Sequence, residues 1–188
     1  LKRKEKMFFK FVLSLPTTVR ATFFIVFLTF CTVAINAQTI SSSKGDVTGL
    51  PLPRFVSVKP NKVNVRRGPN PSYQIDWVYQ QSGVPLKITA EFENWRRVED
   101  FEGEGGWVHS RLLSGKRFVI FLENRTFLKR SPYKKSPNLA IVQQGVIAKL
   151  TTVTELWSEV SVQGYTGWVP NLKVWGTSID NVPKKTEK

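Results

Sequence analysis

Apolar and polar residues alternate over short stretches of this chain, as they do in β-strands that bury one face. Residues 62–66 alternate in this way, and glycine and proline clusters at 67–71 and 102–106 then predict a loop and a hairpin. One face of the stretch after residue 83 carries Val84, Leu86, Ile88 and Ala90. Residues 54–176 show no long apolar period of 3.6 residues, so the pattern predicts short strands rather than helices.

The predicted strands form two successive sets. The first set comprises residues 62–66, 76–79, 84–91, 95–101 and 107–109. The second comprises residues 118–121, 125–128, 138–143, 146–152, 157–162 and 167–169, with a long loop at 129–137. Short strands packed so densely favour small β-barrels, in which closure protects the edges of the sheet.

One phrase occurs twice and relates the two sets. Trp95-Arg96-Arg97-Val98 and, after a short gap, Gly106-Trp107-Val108 are matched by Trp157-Ser158-Glu159-Val160 and Gly167-Trp168-Val169. Such self-similarity is the signature of a repeated structural unit. We therefore predict an all-β chain with one barrel over residues 54–115 and a second, more divergent barrel over 116–176.

The N-terminal segment has the layout of a secretory signal. A basic leader precedes the uncharged run 21–35, and small residues follow at Ala34 and Ala37. We predict a signal peptide over residues 1–37, with cleavage after Ala37 or Ala34; the alternative is an uncleaved membrane anchor. We predict that residues 38–53 form a flexible arm containing serine and proline and that residues 177–188 form a charged tail.

Charge and cysteine content restrict the classes of function. The chain has a formal net charge of +14, which favours anionic partners such as wall carboxylates or phospholipid headgroups. Its single cysteine, Cys31, lies within the predicted signal, so the exported chain would have no disulfide and no thiol nucleophile. Lipid attachment at Cys31 is disfavoured because bulky Phe30 precedes it.

The sequence offers little catalytic chemistry. His109 is the only histidine, whereas a zinc site needs three or four convergent ligands. Neighbouring acids occur as Glu91 with Glu93, Glu99 with Asp100, and Glu102 with Glu104. A glycosidase needs two acids that face each other across a cleft, so we interpret these acids as a solvated rim. We expect no enzyme activity, cofactor or metal.

The first repeat resembles the bacterial SH3-like (SH3b) domain. The resemblance rests on Asn64-Val65-Arg66, Gly68-Pro69, Gly83-Val84-Pro85, Trp95, Val98 and Gly106-Trp107-Val108. Residues 50–176 are similar to a family of secreted bacterial proteins with two such modules behind a signal peptide. The second repeat departs from the pattern at Lys129 and Ser131, and Lys87 also departs from it. The resemblance implies curved barrels that bind cell-wall peptides or other envelope proteins.

These observations predict an exported, non-enzymatic module of the periplasm or the extracellular space. Its expected partner is wall peptide, peptidoglycan or an envelope protein; the alternative is a basic protein that binds anionic surfaces without a specific pocket. We expect no nucleic-acid partner, and membrane association only through the signal. The candidate ligand-binding residues are Arg66, Arg67, Tyr73, Trp77 and Trp95, with core packing as the alternative for Trp77. The predicted structural core residues are Trp107, Trp168, Gly106 and Gly167.

Overall fold

A computed structural model describes residues 43–177 and confirms the all-β prediction. The first barrel and its preceding hairpin contain β1 (Ser43–Lys44), β2 (Pro51–Leu52), β3 (Arg54–Val58), β4 (Val63–Arg66), β5 (Ile75–Tyr79), β6 (Pro85–Phe92), β7 (Trp95–Glu99), β8 (Gly105–His109), a 3₁₀ turn (Ser110–Leu112) and β9 (Leu113–Ser114). The predicted signal peptide and most of the charged tail lie outside the described residues.

The second barrel repeats the order of elements. It contains β10 (Phe118–Phe121), β11 (Thr126–Lys129), β12 (Asn138–Val142), β13 (Ile147–Val153), β14 (Trp157–Val162), β15 (Tyr165–Pro170), a 3₁₀ turn (Asn171–Lys173) and β16 (Val174–Trp175). Within residues 43–177, no helix is long and apolar enough to span a membrane.

The two barrels have the same topology. The strand order is β5-β4-β8-β7-β6-β3-β9 in the first and β12-β11-β15-β14-β13-β10-β16 in the second, so each strand has its counterpart. The register shifts at matching places, between Val65 and Arg66 in one barrel and between Leu128 and Lys129 in the other. Bulges of this kind bend and twist a strand, and the repeated curvature follows from their repeated positions.

Inward-facing apolar residues fill each barrel. The first core contains Val58, Val63, Val65, Leu86, Ile88, Val98 and Val108. The second contains Val119, Phe121, Leu128, Ala148, Leu150, Val160 and Val169. Alternation along the strands places these residues on one face, as the sequence pattern predicts.

The prediction that Trp107 and Trp168 are core residues is wrong. Both indoles are half-buried, whereas the next residues, Val108 and Val169, are fully buried. Successive side chains of a strand point to opposite faces, so a core valine places the preceding tryptophan on the outer face.

The glycines before these tryptophans have a structural reason to be glycine. A Cβ atom on Gly106 would lie 2.7 Å from the carbonyl oxygen of Arg66, and one on Gly167 would lie 2.6 Å from that of Lys129. Backbone atoms cannot move aside as a flexible side chain can. Each barrel therefore needs a glycine where β8 approaches β4 in the first barrel and β15 approaches β11 in the second.

The prediction of a flexible arm is wrong for residues 43–53. β1 and β2 form a two-stranded hairpin, and Leu52 is buried in the first core. The carboxylate of Glu91 accepts hydrogen bonds from the backbone N–H groups of Val47 and Thr48, at 3.1 and 2.9 Å. It also accepts one from the Thr48 hydroxyl at 2.7 Å. These long-range contacts, which a local sequence pattern does not show, fix the arm on the barrel.

The barrels pack against each other within one compact unit. The rings of Phe55 and Trp175 meet edge to face, with centroids 4.8 Å apart. The guanidinium of Arg117 lies 5.6 Å from the centre of the Phe55 ring and donates a hydrogen bond to the carbonyl of Gly176 at 2.6 Å. Aromatic and cation–π contacts thus join the β3 side of the first barrel to the end of the second.

Candidate functional site

The first barrel carries two depressions that share Arg66. One, the basic groove, is lined by Lys62, Asn64, Arg66, Pro71, Trp95, His109, Arg111 and Leu112. The other, the outer cleft, is lined by Arg66, Arg67, Asp76, Thr89, Arg97, Val98, Glu99, Gly103, Glu104, Gly105, Gly106 and Trp107. Their volumes are about 360 and 700 Å³, within the range typical of small-ligand sites.

The long loop between β4 and β5 forms part of the wall of both depressions. Arg66 Nη1 donates a 2.6 Å hydrogen bond to the carbonyl of Tyr73, which holds the far end of the loop against β4. The Tyr73 ring lies over Gly68, where a Cβ atom would approach the ring to 2.6 Å. Arg67 forms a 2.6 Å ion pair with Asp76 across the base of the loop. The loop that the Gly-Pro cluster predicts is thus a packed element with a defined conformation.

Every titratable residue that lines the basic groove is basic. Lys62, Arg66 and Arg111 supply fixed positive charges, and the remaining titratable residue is His109. Among the described residues, no carboxylate forms an ion pair with Lys62 or Arg111. The groove is therefore suited to a negatively charged group, which could meet several donors at once.

An aromatic pair forms the floor of the basic groove. Trp95 begins β7 and His109 ends β8; the two residues are cross-strand partners, and their rings meet edge to face at 5.4 Å. Trp95 is only 8% exposed, so little of its ring is accessible to a ligand. The predicted binding role of Trp95 is therefore a contact at the floor of a groove.

The ring of His109 is positioned by the 3₁₀ turn that follows it. Its Nδ1 atom accepts a 3.3 Å hydrogen bond from the backbone N–H of Arg111, which requires that Nδ1 carry no proton. Burial, and then the charges of Arg111 and Arg96, lower the pKa of His109 below its ordinary value of 6.5. The ring is accordingly neutral at pH 7, and an anion in the groove would favour its protonated form.

The outer cleft lies on the solvent side of the sheet. Trp107 pairs in register with Arg66 on one side and with Arg97 on the other. Acids also line this cleft: Asp76 is paired with Arg67, and Glu99 receives a 2.8 Å hydrogen bond from Lys87. The cleft thus differs from the basic groove because it offers both donors and acceptors.

The structure separates the predicted ligand-binding residues. Arg66 lines both depressions, Trp95 lines the basic groove and Arg67 lines the outer cleft. Tyr73 and Trp77 are 49% and 45% exposed, and neither is among the residues that line these two depressions. The alternative of core packing for Trp77 is wrong because of this exposure; the buried aromatic residue of β5 is Tyr79, two residues further on.

Sequence reasoning missed most of the basic groove. Lys62 precedes β4, while His109 and Arg111 lie around the 3₁₀ turn, far from Lys62 in sequence. The barrel places them together because β4 pairs with β8. The signal in the sequence is Arg111, a basic residue two positions after the single histidine. It indicates a groove only when the strand order is known.

The interpretation of the acids as a solvated rim is wrong for two of them. Glu91 has a fully buried side chain and forms ion pairs with Arg54 at 2.6 Å and Arg96 at 3.5 Å. Asp100 is 5% exposed and accepts a 3.0 Å hydrogen bond from the hydroxyl of Tyr79. Both acids have structural partners.

The second barrel keeps the loop anchor but loses the basic groove. Lys129 Nζ donates to the carbonyl of Ser136 at 3.0 Å, as Arg66 does to Tyr73. The registers place Pro170 opposite Trp157, where the first barrel pairs His109 with Trp95. Leu172 of the second 3₁₀ turn replaces Arg111 of the first. Across residues 43–177, no cluster of three or more His, Cys, Asp or Glu side chains could hold a metal ion.

Fold and grooves together define the class: tandem small β-barrels with the strand order and 3₁₀ turn of an SH3-like module. The family model of the bacterial SH3 domain matches residues 59–115 and 123–176, more than half of the chain. The chain therefore belongs to the bacterial SH3 domain family, as the resemblance predicts, and carries two copies of the domain.

Similar solved structures include three NlpC-type proteins. They are NlpC2 from Trichomonas vaginalis (11% identity, TM-score 0.32, covering 71% of this chain and 51% of that one), NlpC1 from the same organism (11%, 0.31, 73% and 50%), and an NlpC/P60 family protein from Bacillus cereus ATCC 10987 (12%, 0.29, 64% and 55%). The chain spans about half the length of each. No curated protein matches it.

Proposed function

We propose that this chain is an exported, non-enzymatic module of the bacterial envelope that binds the carboxylate of a wall peptide in the basic groove. A protein partner that presents a carboxylate in the same way would use the same groove. Membership of the bacterial SH3 domain family supports a binding role. Export is proposed from the basic and apolar leader, which lies outside the described residues.

The observation that carries the proposal is the composition of the basic groove. Lys62, Arg66 and Arg111 surround a buried indole, and the groove lining contains no carboxylate. A ligand carboxylate would gain charge-assisted hydrogen bonds from the arginines. An adjacent side chain of the peptide could lie against the accessible part of Trp95, so charge and apolar contact would both select the ligand.

The neutral state of His109 adds a pH dependence to the proposal. Since burial and neighbouring arginines lower the pKa of His109, the ring does not contribute a charge at pH 7. A bound carboxylate would raise that pKa, and binding would take up a proton. We expect affinity to increase as the pH falls through the region below 6.5, with a smaller increase in His109→Gln.

The test is a titration of the purified protein with an N-acetylated wall stem peptide, followed by NMR of amide and indole groups. We expect shifts at Trp95 and Arg111 that the C-terminal amide of the same peptide does not produce. Equal shifts with the acid and the amide, or shifts confined to the second barrel, would contradict carboxylate recognition in this groove.

The second candidate function is attraction of the whole basic surface to anionic polymers or lipids. The net charge of +14, of which the predicted signal peptide carries +5 from six basic residues and one acid, favours it. This function predicts that binding weakens steeply with salt and that any lysine or arginine variant weakens it to a similar extent. The basic groove instead predicts a large effect of Arg111→Gln and little effect of Lys135→Gln, a residue of the exposed second-barrel loop.

A further inference from the structure

The outer cleft has a chemistry that the proposed peptide function does not use. It runs across the outer face of the first barrel, through the cross-strand row Arg66, Trp107 and Arg97. Two strand spacings, about 10 Å in all, separate the ends of this row. The cleft is therefore long enough to hold more than one unit of a chain-like ligand.

Its central aromatic side chain is available to a ligand. Trp107 stands on the outer face of β8, opposite the fully buried Val108, and is half-buried rather than part of the core. Gly105, two residues earlier on the same face of β8, has no side chain that could cover the indole. An aromatic side chain beside such a gap provides an apolar surface for a flat ligand.

The polar groups around Trp107 carry opposite charges in a mixed arrangement. Asp76 is held by Arg67 at 2.6 Å and Glu99 by Lys87 at 2.8 Å, so these two acceptors are oriented. Among the described residues, none forms a hydrogen bond or ion pair with the side chain of Glu104. The side chain of Arg97 likewise has no such partner in residues 43–177. Donors and acceptors therefore face the same space.

This mixture indicates a neutral, polyhydroxylated ligand rather than an anion. Guanidinium groups only donate hydrogen bonds and ionised carboxylates only accept them, whereas a hydroxyl does both. The cleft is lined by three carboxylates, of Asp76, Glu99 and Glu104, and by three arginines, Arg66, Arg67 and Arg97, so it offers an anion no net attraction. Sugar rings present hydroxyls at their rim and an apolar C–H face that can cover an indole.

We infer that the outer cleft is an oligosaccharide-binding site, in which a sugar ring stacks on Trp107 and its hydroxyls bond to Arg97 and Glu104. The volume of about 700 Å³ fits a short oligosaccharide. In the second barrel the corresponding row reads Lys129, Trp168 and Glu159, so a carboxylate replaces the guanidinium of Arg97. We assign the saccharide site to the first barrel alone.

The inference is tested by titrating the whole protein with the β-1,4-linked tetramer of N-acetylglucosamine and, separately, with maltotetraose, a second neutral oligosaccharide. We expect the indole N–H resonance of Trp107 to shift, with a dissociation constant of about 1 mM. Resonances of Trp95 and His109 should stay in place. Shifts at Trp95 instead, or none at tens of millimolar with either sugar, would overturn the inference.

Variants identify the groups that contact the sugar. Arg97→Gln and Glu104→Gln, both exposed, should each weaken binding about three- to tenfold through the loss of one hydrogen bond. Trp107→Phe should weaken it further; the two exposed variants suffice if that protein misfolds. Unchanged affinity in both exposed variants would contradict the assigned site.

The two ligands distinguish this inference from the proposed function. Arg111→Gln should abolish the peptide response and leave the sugar response unchanged, because Arg111 lines only the basic groove. A sugar response without a peptide response would overturn the proposed function and support the inference. The opposite result would overturn the inference and leave the proposed function standing.

Discussion

The interiors of the two barrels differ although their strand orders match. In the first barrel the Tyr79 hydroxyl donates a hydrogen bond to the buried carboxylate of Asp100. The strand registers place Val142 and Val162 at the equivalent positions, and both are buried. Exchange of both partners of a buried polar pair for apolar residues can be nearly neutral, whereas exchange of one leaves the other unsatisfied. The strand order therefore does not depend on this pair.

The outer faces differ more than the interiors. Arg97, His109 and Arg111 of the first barrel correspond to Glu159, Pro170 and Leu172 of the second. Leu172 is 92% exposed, so an apolar surface replaces a basic one. The repeat thus preserves the residues that close a barrel and varies those that a ligand would meet, and this is why we assign both proposed sites to the first barrel.

The largest loss of stability is expected from Glu91→Gln, because Glu91 binds the segment between β1 and β2 to the first barrel. The second barrel lacks such a contact and has Val153 at the equivalent position. The substitution leaves Arg54 and Arg96 buried without their carboxylate. Breaking a buried ion pair in this way costs about 3–5 kcal/mol. Urea unfolding at neutral pH measures the loss. The exposed Glu155→Gln control should change stability by less than about 0.5 kcal/mol.

The stabilisation by Glu91 is also expected to depend on pH. Burial acts to raise the pKa of Glu91, but hydrogen bonds from Thr48 and Arg54 outweigh it and lower the pKa from 4.5 to about 2. The carboxylate therefore contributes its full stabilisation above pH 4.5 and loses it as the pH falls towards about 2. The stability difference between the parent protein and Glu91→Gln should narrow through this window. A difference that stays constant there would show that Glu91 is not the titrating group.

The next largest loss of stability is expected from Gly106→Ala and Gly167→Ala. These variants test whether β8 must approach β4 as closely as β15 approaches β11. Each added methyl would meet a backbone carbonyl oxygen, at 2.7 and 2.6 Å. Such overpacking costs about 1–3 kcal/mol, and we expect similar losses in thermal unfolding. Gly115→Ala is the control because its Cβ would have open space. If only one of the two substitutions were costly, the proposed equivalence of the barrels would be incorrect.

Tyr79→Phe is expected to have a moderate effect, since it removes one buried hydrogen bond and leaves the ring in place. Asp100 would still accept from the backbone N–H groups of Glu102 and Glu104. We expect a loss of about 1–2 kcal/mol in urea unfolding. Tyr165→Phe, in the exposed hairpin of the second barrel, should have no measurable effect. Equal effects of the two variants would argue against the buried pair.

The smallest effect on the fold of either barrel by itself is expected from Trp175→Ser, which gives the second barrel the residue that the first has at Ser114. It removes the edge-to-face contact with Phe55, worth about 0.5–1.5 kcal/mol beyond the buried area. We expect the barrels to unfold in two transitions rather than one, as measured by calorimetry. The exposed Leu172→Ser variant should keep a single transition. A single transition in both variants would show that other contacts couple the barrels.

The sequence pattern predicted the fold well because its signals are local. Period-two alternation, the loop at 67–71 and the repeated Gly-Trp-Val phrase are each read within a few residues. The pattern misplaced Trp107, because hydrophobic character alone does not decide which face of a strand is inward; the buried neighbour Val108 decides it. It also missed the docked arm, whose anchor at Glu91 lies more than 40 residues from Val47 in sequence.

The candidate sites were predicted only in part for the same physical reason. The sequence predicts a binding role for Arg66, which lies beside the long loop, and for Trp95, which begins a strand, and both line the basic groove. Lys62 and Arg111 complete that groove only through the pairing of β4 with β8. Cross-strand pairing brings distant residues together, and residue type does not reveal it.

The most direct test of carboxylate binding in the basic groove replaces two groove residues of the first barrel with their counterparts from the second. The double variant His109→Pro with Arg111→Leu should remain folded, since Pro170 and Leu172 occupy these places in a barrel of the same topology. Its response to the N-acetylated stem peptide would be measured by NMR against that of the parent protein. We predict that the variant keeps the dispersed spectrum of a folded chain and loses the carboxylate-dependent shifts at Trp95. A folded variant that binds the peptide as tightly as the parent would contradict it.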